Sequence, residues 1–169
     1  MKSGNVTIEA TAYELAPHRI SSSSMEERLS STMRRLKIPK GTIAGLTGIL
    51  ERRFWDAGTM PSDVATLAAR KVIDQSGIDP AQIGCLINTS VSKDYIEPSV
   101  ACLVHGNLGL PSSCINYDIG NACLGFVNAL VTLTLAFCGR KDRGSTDPGL
   151  TPAVIHDPAA VTAGVQPTL

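Results

Sequence analysis

The sequence predicts an α/β protein with a sheet rich in parallel strands, and three features of the chain indicate this class. Strand-like and helix-like segments alternate along most of its length, which is the pattern of crossover helices that connect parallel strands. Residues 83–88 form a continuous apolar run, as expected of a strand that is buried on both faces. Residues 123–137 form a helix that is apolar nearly all round, and such a helix must be covered on every side.

Hydrophobic periodicity places the remaining elements. The predicted strands are residues 5–15 and 113–118, and the predicted helices are residues 24–37, 61–76 and 98–108. Ser24 and Glu27 stand at the spacing of a capping box at the start of the first of these helices. Gly77 is the expected stop of the second, and Pro98 suits the first position of the third. Residues 43–54 are an apolar segment that glycines interrupt.

Size and charge exclude several classes of protein. The chain has 169 residues, a length that suits one domain or one half of a larger one. Its 15 Lys and Arg balance 15 Asp and Glu, so nucleic-acid binding driven by bulk charge is not expected. The N-terminus lacks the apolar run of a signal peptide, and residues 124–138 are too short to span a membrane. We therefore expect a soluble protein of the cytoplasm, where thiols stay reduced.

The composition changes after residue 138. Proline and glycine become about twice as dense, and no helical or strand period is evident. We therefore predict a folded half-domain over residues 1–138 and a disordered tail over residues 139–169. The change is abrupt, because the apolar helix runs into a charged and then proline-rich segment after Phe137. Our hypothesis is that this tail comes from a frameshift or a truncated reading of a longer gene.

Cys123 is the most informative of the five cysteines. A predicted strand runs through small residues directly into the helix that carries it. Backbone N–H groups and the positive end of a helix dipole favour a thiolate nucleophile at such a position, and they can stabilise an oxyanion. The alternative is a buried cysteine that packs as a small apolar residue. A redox role is weaker because no resolving cysteine stands near, and neither the cysteines nor the three histidines show zinc-ligand spacing.

A series of motifs runs through the chain in a specific order and spacing. The motifs are Thr47-Gly48-Ile49-Leu50-Glu51-Arg52-Arg53, Ser62-Asp63-Val64-Ala65, Ile78-Asp79-Pro80-Ala81-Gln82-Ile83, Ile87-Asn88-Thr89-Ser90, Glu97-Pro98-Ser99, Leu108-Gly109-Leu110 and Asn121-Ala122-Cys123-Leu124-Gly125-Phe126. Over residues 5–137 they resemble the N-terminal half of a thiolase-superfamily condensing enzyme of the 3-oxoacyl-[acyl-carrier-protein] synthase III type. Residues 87–99 and 107–109 are most similar to the olefin-biosynthesis branch, whose enzymes join two long acyl-CoAs head to head. The resemblance implies a thiolase-like αβαβα layered fold of two similar halves, of which this chain holds the first.

The resemblance also implies an acyltransferase that performs a Cys-dependent Claisen condensation, decarboxylative or direct, in fatty-acid or long-chain olefin and β-keto acid biosynthesis. It makes Cys123 the acylated nucleophile, and it makes Glu97 a base that reaches across a dimer into the partner's site. The other interpretation of Glu97 is a surface carboxylate at a helix N-terminus. The implied substrates are thioesters of CoA or of an acyl carrier protein, and no metal or redox cofactor is implied.

Two departures from the family pattern bear on activity. Thr42 and Leu46 stand where the synthase III pattern has a Trp and an Arg that hold the CoA nucleotide, and Arg52 and Arg53 are either phosphate contacts or solvated charges. The second half of the family's fold supplies a catalytic His and Asn, and His156 does not fall in a matching motif. We therefore expect the chain to be inactive by itself. The alternative to an enzyme is a non-catalytic fragment or pseudo-enzyme that pairs with a full-length synthase. The expected assembly is therefore either a homodimer or a heterodimer with a full-length relative.

Overall fold

A computed structural model describes residues 7–138, 151–157 and 160–166 of the chain, with side chains described for residues 8–136 and 152–155. The strands are β1 (Thr7–Tyr13), β2 (His18–Ser21), β3 (Glu51–Phe54), β4 (Ile83–Asn88), β5 (Ile115–Asp118), β6 (Thr151–Asp157) and β7 (Ala160–Gln166). The helices are α1 (Ser22–Arg28), α2 (Ser30–Arg35), α3 (Thr42–Thr47), α4 (Pro61–Ser76), α5 (Val100–Leu108) and α6 (Gly125–Cys138). The described residues form two compact units. The smaller unit is Leu15–Thr59, and the larger unit comprises the other described residues. Within these described ranges, no helix has both the length and the apolar character needed to cross a bilayer.

A five-stranded sheet is the centre of the larger unit, with the strands in the order β1-β7-β6-β4-β5. β4 pairs in parallel with both β5 and β6, while β7 is antiparallel to β6 and to β1. The predicted richness in parallel strands is therefore confirmed at the β6-β4-β5 end. β4 is buried on both faces, as its apolar run predicts, because the consecutive side chains of Leu86 and Ile87 are both 0% exposed.

Helices cover both faces of this sheet. α4 and α5 pack on the face that carries Leu86, and α6 packs on the face that carries Ile87. The buried helical residues of the first core are Ala65, Ala68, Ala69 and Val72 of α4 and Val100 and Val104 of α5. In the second core, Ala129 and Leu133 of α6 join Ile87 and Val154. The result is a helix–sheet–helix arrangement in which β4 lies between the two cores.

Local signals set the ends of α4 and α5. Pro61 is the first residue of α4, and Gly77 ends it with a φ of 67°, which is the left-handed conformation that glycine adopts without strain. Both ends agree with the prediction. α5 begins at Val100 rather than at the predicted Pro98, because the Ser99 side chain accepts a hydrogen bond from the Cys102 N–H at 3.1 Å and is therefore the N-cap.

The outer side of α6 is apolar and exposed, although a helix that is apolar nearly all round calls for cover on every side. In the part of the chain that the structure describes, Val127, Val131 and Leu135 are 51%, 50% and 53% exposed. These residues recur at one-turn spacing and form an apolar stripe, named here the α6 stripe, opposite the residues that pack on the sheet. An apolar stripe of this kind is suited to burial against another protein surface.

The smaller unit contains an antiparallel pair, β2 and β3, together with α1, α2 and α3. The single helix predicted for residues 24–37 is wrong: the chain forms two helices that meet at Leu29, and the N-cap is Ser21, whose Oγ accepts from the Ser24 N–H. The carboxylate of Glu26 accepts from the N–H groups of Gly41 and Ile43 at 2.6 and 2.8 Å. These two hydrogen bonds, that from Gly41 first, lower the pKa of Glu26 because they stabilise its charged form.

Two strands lie in the segment predicted to be a disordered tail. β6 and β7 occupy residues 151–157 and 160–166, and β6 inserts beside β4 with Val154 and Ile155 both 0% exposed. The prediction is therefore wrong for these strands. The prediction failed because the apolar run between Pro152 and Pro158 is too short to show a strand period. In addition, the position of β6 is specified by its pairing with β4, which is distant in sequence. Residues 139–150, 158–159 and 167–169 lie outside the described residues, and the frameshift hypothesis stays a prediction.

Candidate active site

Parallel pairing brings the two predicted site residues to one edge of the sheet. β4 and β5 are adjacent and parallel, so the loops that follow them leave the sheet at the same edge. Glu97 lies in the loop between β4 and α5, and Cys123 lies in the connection between β5 and α6. This carboxyl edge is where open α/β sheets bind ligands.

Cys123 occupies a single 3₁₀ turn, Ala122–Leu124, that leads directly into α6. The prediction placed it in the first turn of the α-helix, so the strand-to-helix connection is confirmed while the local conformation differs. Ala122, immediately before the thiol, has a φ of 42°, a conformation that costs a residue with a Cβ of order 1 kcal/mol or more. The Cys123 side chain is exposed. A strained turn thus presents an accessible thiol at the start of an apolar helix.

Gly125 allows the start of α6 to approach the end of β4 closely. A Cβ at this position would lie 2.9 Å from the Thr89 carbonyl oxygen and 3.3 Å from the Ile119 carbonyl oxygen. Both carbonyls belong to backbone that is held in place, since the Thr89 N–H donates to Ile155 and the Ile119 N–H donates to Asn88. Glycine is therefore required here by packing, although its φ is ordinary. The start of α6, which directly follows the Cys123 turn, is therefore packed against the residues that follow β4 and β5.

The described cysteine thiols differ in how far they are buried. Cys114 is buried, and desolvation raises its pKa from 9.0 to about 11. Burial also raises the pKa of the half-buried Cys85, so both thiols stay protonated at neutral pH. Cys102 and Cys123 are exposed, and the side chain of Cys138 lies outside the described residues. Of these two exposed thiols, Cys123 is the one at a strand-to-helix connection.

Glu97 is exposed, and the loop that carries it is anchored at its start and middle. The Asn88 side chain accepts from the Ser90 N–H at 3.2 Å, and the Ser90 hydroxyl oxygen accepts from the Ser92 N–H at 3.1 Å. Further along, Asp94 accepts from both the N–H and the hydroxyl of Ser62 in the first turn of α4. A carboxylate at a helix N-terminus is stabilised by the helix dipole. The loop therefore has a defined conformation while its Glu97 end faces solvent.

Asp118 is a residue of this site that the sequence analysis did not identify. It ends β5, and its carboxylate oxygens accept from the N–H groups of Val100 and Ala101 at 3.2 and 3.0 Å. An acidic residue at the carboxyl end of a predicted parallel strand was the available signal, because such positions gather functional groups. The contact itself joins two segments that are distant in sequence.

Residues considered for CoA binding lie in the smaller unit. Leu46 of α3 is 83% exposed, and the Thr42 hydroxyl donates to the Pro39 carbonyl oxygen at 2.6 Å. Arg52 donates to the Ser22 hydroxyl at 3.0 Å, and Arg53 donates to the Ala16 carbonyl at 2.8 Å. Both guanidinium groups therefore contact protein atoms of this unit. Over the described residues, no three His, Cys, Asp or Glu side chains form a group suited to a metal ion.

Longer proteins of known function are homologous to this chain. An acyl-CoA:acyl-CoA alkyltransferase of Xanthomonas campestris pv. campestris is 46% identical over 126 residues, which are 75% of this chain and 37% of that protein. The acyl-CoA:acyl-CoA alkyltransferase of Shewanella oneidensis is 44% identical over 133 residues, or 79% of this chain and 38% of that protein. A beta-ketoacyl-[acyl-carrier-protein] synthase III of Koribacter versatilis is 40% identical over 86 residues, or 51% and 26%. No protein-family model matches the sequence.

Solved structures of Xanthomonas campestris OleA share the fold. A crystal structure with a cysteine replaced by serine, containing lauric acid and lauroyl-CoA, matches with a TM-score of 0.78 and 39% identity over 89% of this chain and 42% of that one. Other matching OleA structures carry replacements of a glutamate, a histidine or a cysteine. The chain spans about two-fifths of the length of these relatives. These similarities confirm the resemblance to thiolase-like condensing enzymes of the acyl-CoA:acyl-CoA alkyltransferase and 3-oxoacyl-[acyl-carrier-protein] synthase III type, and they confirm the thiolase-like fold over the part that this chain spans.

Proposed function

We propose that Cys123 accepts an acyl group from an acyl-CoA thioester, as the first step of a Claisen condensation. The observation that carries the proposal is an exposed thiol in the strained turn that connects the parallel strand β5 to α6. The Cys123 thiolate attacks the thioester carbonyl carbon, a new C–S bond forms, and the bond to CoA sulfur breaks. CoA leaves as a thiolate and takes up a proton. The positive end of the α6 dipole stabilises both the attacking thiolate and the oxyanion that forms on the substrate.

Glu97 is proposed as the base of the second step. It removes a proton from the α-carbon of a second acyl-CoA, and that carbon then attacks the acyl group on Cys123. A C–C bond forms, the C–S bond to Cys123 breaks, and a β-ketoacyl-CoA is released. Support comes from the shared sheet edge and from the relatives: in Xanthomonas campestris OleA the replaced glutamate and cysteine are separated by the same number of residues as Glu97 and Cys123.

The resemblance assigns the family's catalytic His and Asn to the second half of its fold. We propose that Glu97 acts in the site of a second subunit, as in the olefin branch, which makes a dimer the active assembly. The substrates are acyl thioesters, with CoA or an acyl carrier protein as the carrier, and no metal or redox cofactor takes part. A cytoplasmic location is proposed because a nucleophilic thiol must stay reduced.

Acylation by lauroyl-CoA tests the first step. Intact-mass spectrometry of the chain with lauroyl-CoA is expected to show the addition of one lauroyl group. Cys123→Ser should abolish this addition, whereas Cys102→Ser should retain it, since Cys102 is the matched exposed thiol. Glu97→Gln should also retain it, because the base acts only in the second step. Equal acylation of Cys123→Ser and the unsubstituted chain, or none of either in the folded state, contradicts the proposal.

A second candidate function is a non-catalytic subunit that pairs with a full-length synthase. The exposed α6 stripe favours it, because an apolar surface of this kind is normally covered. Co-expression with the Xanthomonas campestris alkyltransferase tests this candidate. A complex that co-purifies, and that is lost when Val131 is replaced by Asp, supports it; a separate elution of the two chains contradicts it.

A further inference from the structure

We infer that Asp118 is a positioning residue. It fixes the Glu97 segment, which is the loop between β4 and α5, relative to the Cys123 segment, which is the turn between β5 and α6. The inference rests on the roles proposed above for Glu97 and Cys123. Asp118 stands where the two segments meet. Along the chain it ends β5 and precedes the turn that presents Cys123. Through its side chain it binds the N–H groups of Val100 and Ala101, which directly follow the Glu97 segment.

Both oxygens of the Asp118 carboxylate accept a hydrogen bond from the start of α5, so the contact fixes an orientation as well as a distance. One oxygen accepts from Val100 at 3.2 Å and the other from Ala101 at 3.0 Å. Hydrogen bonds to a charged acceptor are about twice as strong as neutral ones, and the α5 dipole adds to them. Next to Asp118, the Ile119 N–H donates to the Asn88 carbonyl at 2.8 Å, which ties the same segment to the end of β4. The backbone next to Asp118 is thus fixed to the end of β4, and the Asp118 carboxylate in turn binds the start of α5.

A role as a simple helix cap does not account for Asp118. The N-cap of α5 is Ser99, whose hydroxyl oxygen accepts from the Cys102 N–H at 3.1 Å. Ser99 is local to α5, so its hydrogen bond stabilises the helix without connecting it to another element. Asp118 belongs to β5, and its hydrogen bonds attach α5 to the strand that leads to Cys123. The two residues therefore make separable contributions that a pair of variants can distinguish.

Two exposed thiols report on the two segments. Cys102 lies in the first turn of α5, and Cys123 lies in the turn after β5. The experiment measures iodoacetamide alkylation of each thiol in the folded chain by peptide mass spectrometry. Asp118→Asn leaves one acceptor oxygen and turns an amide group toward the other N–H, and it is expected to change both alkylation rates by about threefold or more. Ser99→Ala is expected to change the rate of Cys102 only.

Asp79→Asn is the matched control, because the Asp79 carboxylate also accepts a helix-start N–H, that of Ala81 at 2.9 Å, at a site remote in sequence from both thiols. It is expected to change neither rate. A change at Cys102 alone in Asp118→Asn would reduce Asp118 to a helix cap and overturn the inference, as would no change at either thiol. If Asp118→Asn does not fold, hydrogen exchange of the unsubstituted chain decides: Val100, Ala101 and Ile119 are expected to exchange within about threefold of one another, and a difference above about tenfold overturns the inference.

A kinetic readout separates positioning from structural support. With lauroyl-CoA as the probe, Asp118→Asn is expected to lower the saturating acylation rate of Cys123 about tenfold, with the half-saturating concentration unchanged. An equal rise in that concentration, with an unchanged saturating rate, contradicts positioning. If the unsubstituted chain is not acylated at all, the proposed function fails, and the alkylation and exchange measurements still decide the role of Asp118.

Discussion

Replacing Gly125 with alanine tests the packing that fixes the Cys123 turn. The new Cβ would lie 2.9 Å from the Thr89 carbonyl oxygen, 3.1 Å from the Thr89 Cβ and 3.3 Å from the Ile119 carbonyl oxygen. Two of these contacts are with backbone that hydrogen bonds hold at 2.6 and 2.8 Å, so the sheet cannot yield. The first turn of α6 must therefore move away from β4, and Cys123 moves with it.

The expected magnitudes follow from two opposing effects. Overpacking of this kind costs about 1–3 kcal/mol, and alanine in a helix returns about 0.5–1 kcal/mol relative to glycine. The free energy of unfolding of Gly125→Ala should therefore fall by about 1–2 kcal/mol in urea titrations followed by circular dichroism. The rate of Cys123 acylation by lauroyl-CoA should fall about 10- to 100-fold, because a displacement near 1 Å misaligns the nucleophile.

Gly106→Ala provides the matched control. Gly106 lies in α5, and a Cβ there would meet nothing within 4 Å. This variant should gain about 0.5–1 kcal/mol of stability and keep its acylation rate. A Gly125→Ala chain that is as stable as Gly106→Ala, and is acylated at the unsubstituted rate, would refute the close approach of α6 to β4.

Three further predictions concern stability. Glu26→Gln should destabilise the smaller unit at neutral pH, and the deficit should shrink as the pH falls below 4.5. The reason is that a lowered pKa of Glu26 contributes stability that is fully present above the unfolded value of 4.5 and is lost as the pH falls through the lowered pKa of the folded state; fluorescence of Trp55 during urea unfolding measures it. Because the pKa of Cys114 is raised from 9.0 to about 11 in the folded state, the stability that this thiol contributes is fully present below pH 9.0 and is lost as the pH rises toward about 11. Cys114→Val should therefore flatten the alkaline decline of the free energy of unfolding in urea titrations. An equal decline in both chains would contradict this. Leu133→Ala should cost about 2–5 kcal/mol, since Leu133 is 2% exposed. Leu135→Ala is its control and should cost under about 1 kcal/mol, because Leu135 is 53% exposed.

Elements with strong local signals were predictable from the sequence. α4 is bounded by Pro61 and Gly77 and shows a helical apolar period, and the structure places both ends at those residues. β4 was predictable because a strand buried on both faces reads as an uninterrupted apolar run. The connection that carries Cys123 followed from the same reasoning, since a strand period changes to a helical period across small residues.

Features specified by distant partners were not predictable. β2 and β3 pair across the sequence of the whole smaller unit, and β6 depends on β4 for its position, so neither shows a period of its own. The division of the predicted helix at Leu29 also has no strong local breaker. The contact between Asp118 and the start of α5 exists only once the chain has folded, because no spacing in the sequence relates the two segments.

The central claim is that the turn between β5 and α6 makes Cys123 a nucleophile for acyl thioesters. Its most direct test is the ratio of lauroyl groups on Cys123 to those on Cys102 in one sample, determined by peptide mass spectrometry after brief exposure to lauroyl-CoA. The two thiols share the same chain and are both exposed, so the ratio cancels differences in folding and concentration. A ratio above about 100 is the predicted result, since the strained turn and the helix dipole act on Cys123. A ratio near one would contradict the claim.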